Sequence, residues 1–178
     1  LMGMLYSLVN QTNENWIAHV VSDGSYTDYK EVEQHFCLNN KIKFSTIEGP
    51  NNDWGHTARN YGLKNSTAEW VVMTGADNYY MPDFVSEFIK VSDSDPNYNF
   101  IFCDMVHNEA HYKHYNLLEA SLSEGNIDMG CFATKTKYSK RLKLDVKKYT
   151  ADWIFAEKYI TLYPNRINHI KKALYVHN

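Results

Sequence analysis

Apolar positions along this chain keep two rhythms, one recurring every three to four residues as on a helix face and one running unbroken as in a buried strand. Leu1, Met4, Leu5, Leu8 and Val9 keep the helical rhythm, and the run from Trp16 to Val21 reads as a strand after the polar break from Gln11 to Asn15. That strand ends in Ser22-Asp23-Gly24-Ser25, a turn that delivers an acid at the strand's carboxyl end. Asp28 and Glu31 have capping-box spacing, and the helix they open carries Val32 and Phe36 on one face. Ile42, Phe44 and Thr46 alternate as a strand, and a loop from Gly49 leads to a short helix holding Ala58, Asn60 and Leu63. The apolar run from Trp70 to Met73 stops at Gly75-Ala76-Asp77-Asn78, and Pro82 opens a helix with the stripe Phe84, Val85, Phe88 and Ile89. Phe100 to Cys103 reads as the next strand. Ile127, Met129, Cys131 and Ala133 alternate in another, expected to be antiparallel or edge-like. A last helix from Asp152 carries Phe155, Tyr159 and Leu162, and Ala173 to Val176 is the expected closing strand. Strands alternating with helices predict an α/β fold, a three-layer α/β/α sandwich around a mostly parallel mixed sheet.

The chain has 178 residues, enough for a single domain with a real core. Apolar residues at 44% and charged ones at 22% exclude a disordered or fibrous chain. A net charge of −3 argues against general nucleic-acid binding. Fourteen tyrosines suit a groove that stacks on sugars or bases, and equally a large core. Cys37, Cys103 and Cys131 form no C-x-x-C pair, so free thiols in a reducing compartment are expected. With no apolar run of membrane-span length and no signal peptide visible, a cytoplasmic location is expected. A chain of this type normally starts with a strand, so the opening helix predicts that the first strand is lacking.

Three acids stand at element ends. Asp23 and Asp77 follow strands and Asp152 opens a helix, so one sheet edge can collect them, and ligands bind at the carboxyl edge of open α/β sheets. The plainer reading has Asp77 only hydrogen-bonding its own turn. Hard divalent cations need few protein oxygens when a diphosphate supplies the rest, so one or two acids beside a groove suffice for a metal-bridged nucleotide.

Ser7-Leu8-Val9-Asn10-Gln11-Thr12, Val20-Val21-Ser22-Asp23-Gly24-Ser25, Ala58-Arg59-Asn60-Tyr61-Gly62-Leu63 and Ala68-Glu69-Trp70-Val71 through Asp77-Asn78 and Met81-Pro82 follow one another in order. This series resembles the successive blocks of the family-two glycosyltransferases with the A-type nucleotide-sugar fold. Thr150-Ala151-Asp152-Trp153 falls where that family carries an acid pair followed by an aromatic. The resemblance implies a single catalytic domain over residues 1–178, with residues 1–104 as the nucleotide-binding half and 105–178 as the acceptor side. It implies nucleotide-binding roles for Asp23, Arg59, Asn60 and Ala76, with Asn60 supporting the loop of Arg59. Asp77 would be the remaining acid of a metal-binding Asp-x-Asp motif, His177 a histidine near the metal, and Asp152 the general base on the acceptor hydroxyl. The implied cofactor is a divalent ion, Mn2+ or Mg2+, and the implied donor a UDP-sugar, with a glycan, lipid-linked or protein hydroxyl as acceptor.

Several positions depart from that pattern: Gly75 stands for the first acid of the metal motif, Ser22 for the first acid of the usual Asp-Asp-Gly-Ser, and Ala151 for the first of the later acid pair. Inverting transfer needs only one base and a means of holding the leaving diphosphate's charge, so thinned acid motifs still permit it. Two alternatives stand beside it: a degenerate domain that binds a nucleotide or glycan without turnover, and a nucleotidyltransferase on a related sheet.

Other signals compete for a role. His107, His111 and His114 would share a face if helical, but Glu109 does not directly follow the first histidine as a zincin requires, and a polar loop near the acceptor mouth is the favoured reading. Lys135, Lys137, Lys140, Arg141, Lys143, Lys147 and Lys148 read as a solvated face, or as attraction to an anionic acceptor or a membrane surface. Asp128 is balanced between an exposed strand position and the acceptor side. No dinucleotide-binding, P-loop or hydrolase-elbow motif occurs in the sequence.

Overall fold

A computed structural model describes residues 1–109, 114–164 and 166–178, and its sheet is organised around β5 (Phe100–Glu109). Every residue from Phe100 to Met105 is buried, the mark of a strand covered on both faces. β8 (Ile167–His177) runs parallel to β5 on one side. On the other side β7 (Phe132–Lys135) pairs antiparallel over Phe100 to Phe102, and β6 (His114–Leu118) takes over beyond Met105. β3 (Trp70–Val71) extends the sheet beyond β7, and β4 (Tyr79–Tyr80) extends it beyond β8. A separate parallel pair joins β1 (Ala18–Asp23) to β2 (Ile42–Ile47), ending at Asp23↔Ile47. The sheets are therefore mixed as expected. Among the described residues parallel pairing is confined to β1–β2 and β5–β8, and the pairs β3–β7, β4–β8, β5–β6 and β5–β7 are antiparallel.

Helices α1 (Met2–Val9), α2 (Thr27–Phe36), α3 (His56–Asn65), α4 (Phe84–Ser94) and α6 (Ala151–Leu162) follow the apolar spacing, whereas the single turn α5 (Thr136–Ser139), which that spacing does not predict, buries Thr136 and Ser139. α2 turns Tyr29, Val32 and Phe36 inward, and the Tyr29 hydroxyl donates to Ser45 O at 2.8 Å. α6 buries Ala151, Phe155, Ala156 and Tyr159. The Tyr159 hydroxyl donates to Asn99 O (2.8 Å) and accepts from Lys135 N (3.2 Å), so this buried polar group is satisfied while it fixes α6 to β5 and β7. Phe132 stacks on Phe100 at 4.9 Å and lies against Phe155, each ring at most 1% exposed. Such burial is worth roughly 1.5–3 kcal/mol per side chain.

The polar break after α1 is less exposed than its composition suggests. Gln11 is buried; its Nε2 donates to Ser7 O (2.9 Å) and Met81 O (2.8 Å), and its Oε1 accepts from Val85 N (2.9 Å). That last bond satisfies one of the first free N–H groups of α4. The start of the chain is thereby tied to the β4–α4 joint.

Two expected strands have different limits. The alternation of Ile127, Met129, Cys131 and Ala133 crosses a 3-10 turn (Met129–Cys131) that Asp128 caps, and the strand begins only at Phe132. β7 is no edge: it lies between β3 and β5 with all four residues buried. β8 is far longer than Ala173 to Val176, because an irregularity shifts the register from Cys103↔Ile170 to Asp104↔Ala173 and places the exposed Lys171 and Lys172 at the shift, where they break the apolar pattern.

His107 and His114 lie on strands, not on one helix face, and no group of three potential metal ligands occurs among the described residues. His111 lies outside the described residues. The basic stretch divides: Lys135 is buried, paired with Glu69 and set over the Trp70 ring at 4.4 Å, whereas Lys137, Lys140, Arg141, Lys143, Lys147 and Lys148 are exposed. Cys103 and Cys131 are buried free thiols and Cys37 an exposed one. Among the described residues no helix is long and apolar enough to cross a membrane.

Candidate active site

The turn after β3 is shaped by what surrounds Gly75. A Cβ on Gly75 would lie 2.6 Å from Asp77 Oδ1, 3.1 Å from Asn78 Nδ2 and 3.8 Å from Arg59 Nη2. The exposed Asp77 carboxylate thus folds back over the glycine, with the Arg59 guanidinium close by. Asn78 is buried; it donates to Thr74 Oγ1 (3.2 Å) and accepts from Asn178 N (3.0 Å). A carboxylate at position 78 could not donate to Thr74, so the amide there is a structural tie between the turn and the end of β8.

Arg59 reaches the turn from α3. Its Nε donates to Thr74 O at 3.4 Å and its Nη1 to Trp54 O at 2.7 Å. Nη1 also lies 3.4 Å from His56 Nδ1, while His56 Nε2 lies 3.1 Å from Lys148 O. Burial, and then the charge of Arg59, hold the His56 pKa below its usual value. A neutral imidazole satisfies both contacts, its Nε2–H donating to Lys148 O and its Nδ1 accepting from Arg59. His56 therefore links Arg59 to the loop before α6.

Asp152 stands in the first turn of α6, where its Oδ1 accepts from Trp153 N at 2.7 Å. Burial raises its pKa above the ordinary carboxylate value, the negative charge of Asp128 adds to the rise, and the Trp153 N–H and Arg59 act against it. Asp128 is the acid whose place the sequence left open. Its Oδ1 accepts from the Tyr175 hydroxyl (2.6 Å) and Gly130 N (2.8 Å), and its Oδ2 lies 3.5 Å from His177 Nε2. The His177 ring stacks on His107 at 4.8 Å, nearly parallel. His177 Nδ1 is buried with no hydrogen-bond partner among the described residues. From the sequence Asp128 is an acceptor-side acid weighed against an exposed strand position, whereas His56 and Tyr175 are not singled out, and nothing in their local sequence marks them.

Asp23 is held at the end of β1 by Asn51, whose backbone N–H donates to Oδ2 at 3.0 Å and whose side-chain amide donates to Oδ1. Any Cβ on Gly49 would run into the carboxylate and carbonyl of Asp23, so a glycine is needed where the two segments cross. An open, mostly apolar groove runs beside this strand end, lined by Val20, Ser22, Tyr26, Tyr29 and Ala76 and continuing to Leu1. Ala76 thereby joins the groove to the turn that carries Asp77. Asn60 does not face this groove: its amide donates to Leu144 O (3.1 Å) and accepts from Leu144 N (2.9 Å). Arg59, Asp77, Asp128, Asp152 and His177 form one connected neighbourhood, Asp23 and Ala76 line its flank, and Asn60 supports it from behind.

The mixed α/β sheet with its helices has the A-type nucleotide-sugar transferase fold, shared with solved glycosyltransferases. Residues 1–152 match the family described as Glycosyl transferase family 2, and the chain belongs to that family. An uncharacterized glycosyltransferase of Haemophilus influenzae is 29% identical over 108 residues, which cover 58% of this chain and 35% of that protein. In structure the chain is similar to residues 1–349 of S. aureus TarS, with a TM-score of 0.82 at 18% identity over 99% of this chain and 56% of that one. It is also similar to the mannosyltransferase PcManGT of Pyrobaculum calidifontis in complex with GDP-Man and Mn2+, with a TM-score of 0.72 at 17% identity over 97% of this chain and 51% of that one. The chain thus spans about a third to a little over half the length of these proteins.

Proposed function

We propose that this domain transfers a sugar from a nucleoside-diphosphate donor, with UDP-sugars the first to test, to a hydroxyl acceptor with inversion at the anomeric carbon. The observation that carries the reading is Asp152, its pKa raised by burial, within electrostatic reach of Arg59, whose guanidinium lies at the Gly75–Asp77 turn, in a chain of this family. Residues 1–104 supply chiefly the nucleotide side and residues 105–178 chiefly the acceptor side. Asp152 takes the proton from the acceptor hydroxyl as that oxygen attacks, the task of a general base with a raised pKa. Arg59 sets a fixed positive charge where the diphosphate departs. Asp23 and the groove through Ala76 receive the nucleoside, with the apolar faces of Tyr26 and Tyr29 lining its wall.

The donor set suits a hard cation shared with a diphosphate. Asp77 offers an exposed carboxylate, and His177 offers a buried nitrogen with no hydrogen-bond partner among the described residues, its other nitrogen facing Asp128 as carboxylates behind a metal ligand do. When bound, Mn2+ or Mg2+ would neutralise charge on the departing phosphates. Neighbours in fold support this class of donor, since TarS has been crystallised with UDP and PcManGT with GDP-Man and Mn2+. A glycan, lipid-linked or protein hydroxyl fits as acceptor, and the exposed lysines before α6 suit an anionic acceptor or a membrane surface.

Titration calorimetry of the purified protein with UDP, GDP and their sugars, with and without MnCl2, tests this reading. Binding of one donor, with transfer or donor hydrolysis that Asp152→Asn removes, is the expected result. Failure of every nucleoside diphosphate to bind overturns it. A second reading, a domain that binds its nucleotide or glycan without turnover, is favoured by Gly75 and Ala151 at acid positions of the family pattern. Donor binding without turnover under any acceptor and cation would select it.

A further inference from the structure

Just outside the catalytic neighbourhood, two large aromatic rings meet in solvent. Trp54 is 54% exposed and Tyr149 is 74% exposed, and their rings pack edge-to-face at 5.7 Å. Large exposed aromatics in contact are normally buried further or replaced, since each leaves apolar surface in water. The backbone beneath Trp54 is unusual as well. Trp54 has φ 58°, followed by Gly55 at 82°, and a bulky non-glycine residue in that region is held there against a steric cost.

What holds it is Asp53. This carboxylate is buried, and it accepts from Gly55 N (3.1 Å), Thr57 N (2.8 Å) and the Thr57 hydroxyl (2.5 Å). Burial alone would raise its pKa, but the hydrogen bonds from Thr57 and Gly55 bring it below the ordinary value. Trp54 O is itself held by Arg59. Tyr149 is placed by the loop of residues 144–150, which the two Asn60 bonds to Leu144 and the His56 contact with Lys148 O fasten to α3. Both rings are thus positioned by residues already bound into the site. Tyr149 directly precedes the N-cap of α6, two positions before the helix that carries Asp152.

We infer that Trp54 and Tyr149 form a platform for one pyranose ring of the acceptor, stacking on the ring face that carries C–H bonds and presenting its hydroxyl towards Asp152. A pyranose has one face of C–H bonds that is apolar and slightly positive, and an aromatic face is electron-rich, so the two attract once water is excluded. Neither ring lines the groove at Val20, Ser22 and Tyr26, and Tyr149 stands three residues before Asp152, the proposed base on the acceptor hydroxyl, so the platform falls to the acceptor and not to the base. The inference rests on the proposed transferase reading and names the chemistry of its second substrate.

The test uses wild type, Trp54→Ala, Trp54→Phe and Tyr149→Ala, each with its thermal midpoint checked. Calorimetry reads UDP binding first, and then binding of chitotetraose, cellotetraose and mannotetraose to the UDP-loaded protein. The expected result is that at least one glycan binds wild type and that each alanine weakens it about tenfold. Trp54→Phe restores most of the affinity, and UDP affinity stays within about twofold throughout. Glycan affinity unchanged by both alanines overturns the platform, as does the absence of any glycan binding to UDP-loaded wild type. A fall in UDP affinity that tracks the ring lost also overturns it, since the rings would then serve the nucleoside. Where wild type prefers GDP, the glycans are tested on the GDP-loaded protein, and wild type that binds neither UDP nor GDP overturns the transferase reading and this inference together, so the two failures are told apart at the first step.

Discussion

The Tyr175 hydroxyl donates to Asp128 Oδ1 over 2.6 Å, and this bond fixes the carboxylate that faces both His177 and Asp152. Tyr175 is fully buried on β8, and the Gly130 backbone passes against its ring. A Cβ on Gly130 would overlap Tyr175 ring carbons and come within 2.5 Å of its hydroxyl oxygen. Gly130→Ala is therefore expected to destabilise the fold by about 1–3 kcal/mol, the usual cost of overpacking a closed core. Chemical denaturation should show it, and a midpoint equal to wild type would mean that β8 or the 3-10 turn yields freely.

Asp152→Asn should separate activity from stability. Loss of the base is expected to lower transfer about 10²- to 10⁴-fold while nucleotide affinity is kept. Because burial and Asp128 raise the folded pKa of Asp152, its ionisation opposes folding. The stabilising protonated form is fully present below the unfolded carboxylate pKa, and its contribution is lost as pH rises through the folded value. A neutral amide avoids that loss, so the variant should melt at or above the wild-type temperature at pH 7. A clear fall in melting temperature would count against the arrangement.

The same charges set a pH profile. Asp152 must be ionised to act as a base, so kcat/KM should rise with pH through a value above the ordinary carboxylate range. Asp128→Asn removes the neighbouring negative charge, and the acid limb should move to lower pH. An unmoved limb would show that Asp128 does not act on the base.

Asp77→Ala is expected to abolish the manganese-dependent part of nucleotide binding, and since Asp77 is exposed the fold should be unaffected. Gly75→Asp, which restores the family's first acid by name, should not strengthen metal binding, because its Cβ, 2.6 Å from Asp77 Oδ1, would turn the Asp77 carboxylate out of its present place. Calorimetry with MnCl2 and UDP reads both variants.

Asn60→Ala removes two hydrogen bonds to the Leu144 backbone and leaves that amide group without its partner. A cost of about 1–3 kcal/mol is expected, together with a weaker acceptor KM as the loop before α6 loosens. Unchanged stability would show that the loop is held by other contacts.

Local chemistry alone determined a good part of this. Apolar periodicity placed α2, α4, α6, β1, β2 and the start of β5, because each buries a face or a run that must recur at the spacing of its own backbone. The ordered blocks from Ser7 to Pro82 gave Arg59 and Asp77 roles through their resemblance to a family, and that Arg59 reaches the turn of Asp77 appeared only in the fold. What remained hidden was whatever depends on a distant partner. The alternation over Ile127 to Ala133 looked like one strand because Met129 and Cys131 are buried by a turn that Asp128 caps. Lys171 and Lys172 hid the length of β8, because the register shift that lets them point outward exists only against β5. Asn60 is implied by that resemblance to support the loop of Arg59, but the means, two bonds to the Leu144 backbone 84 residues away, appeared only in the fold. Asp128 meets Asp152, Tyr175 and His177 across gaps of many residues. Burial and charge at such a meeting are properties of the assembled sheet, where strands from both halves of the chain lie side by side, and no single stretch of sequence holds them.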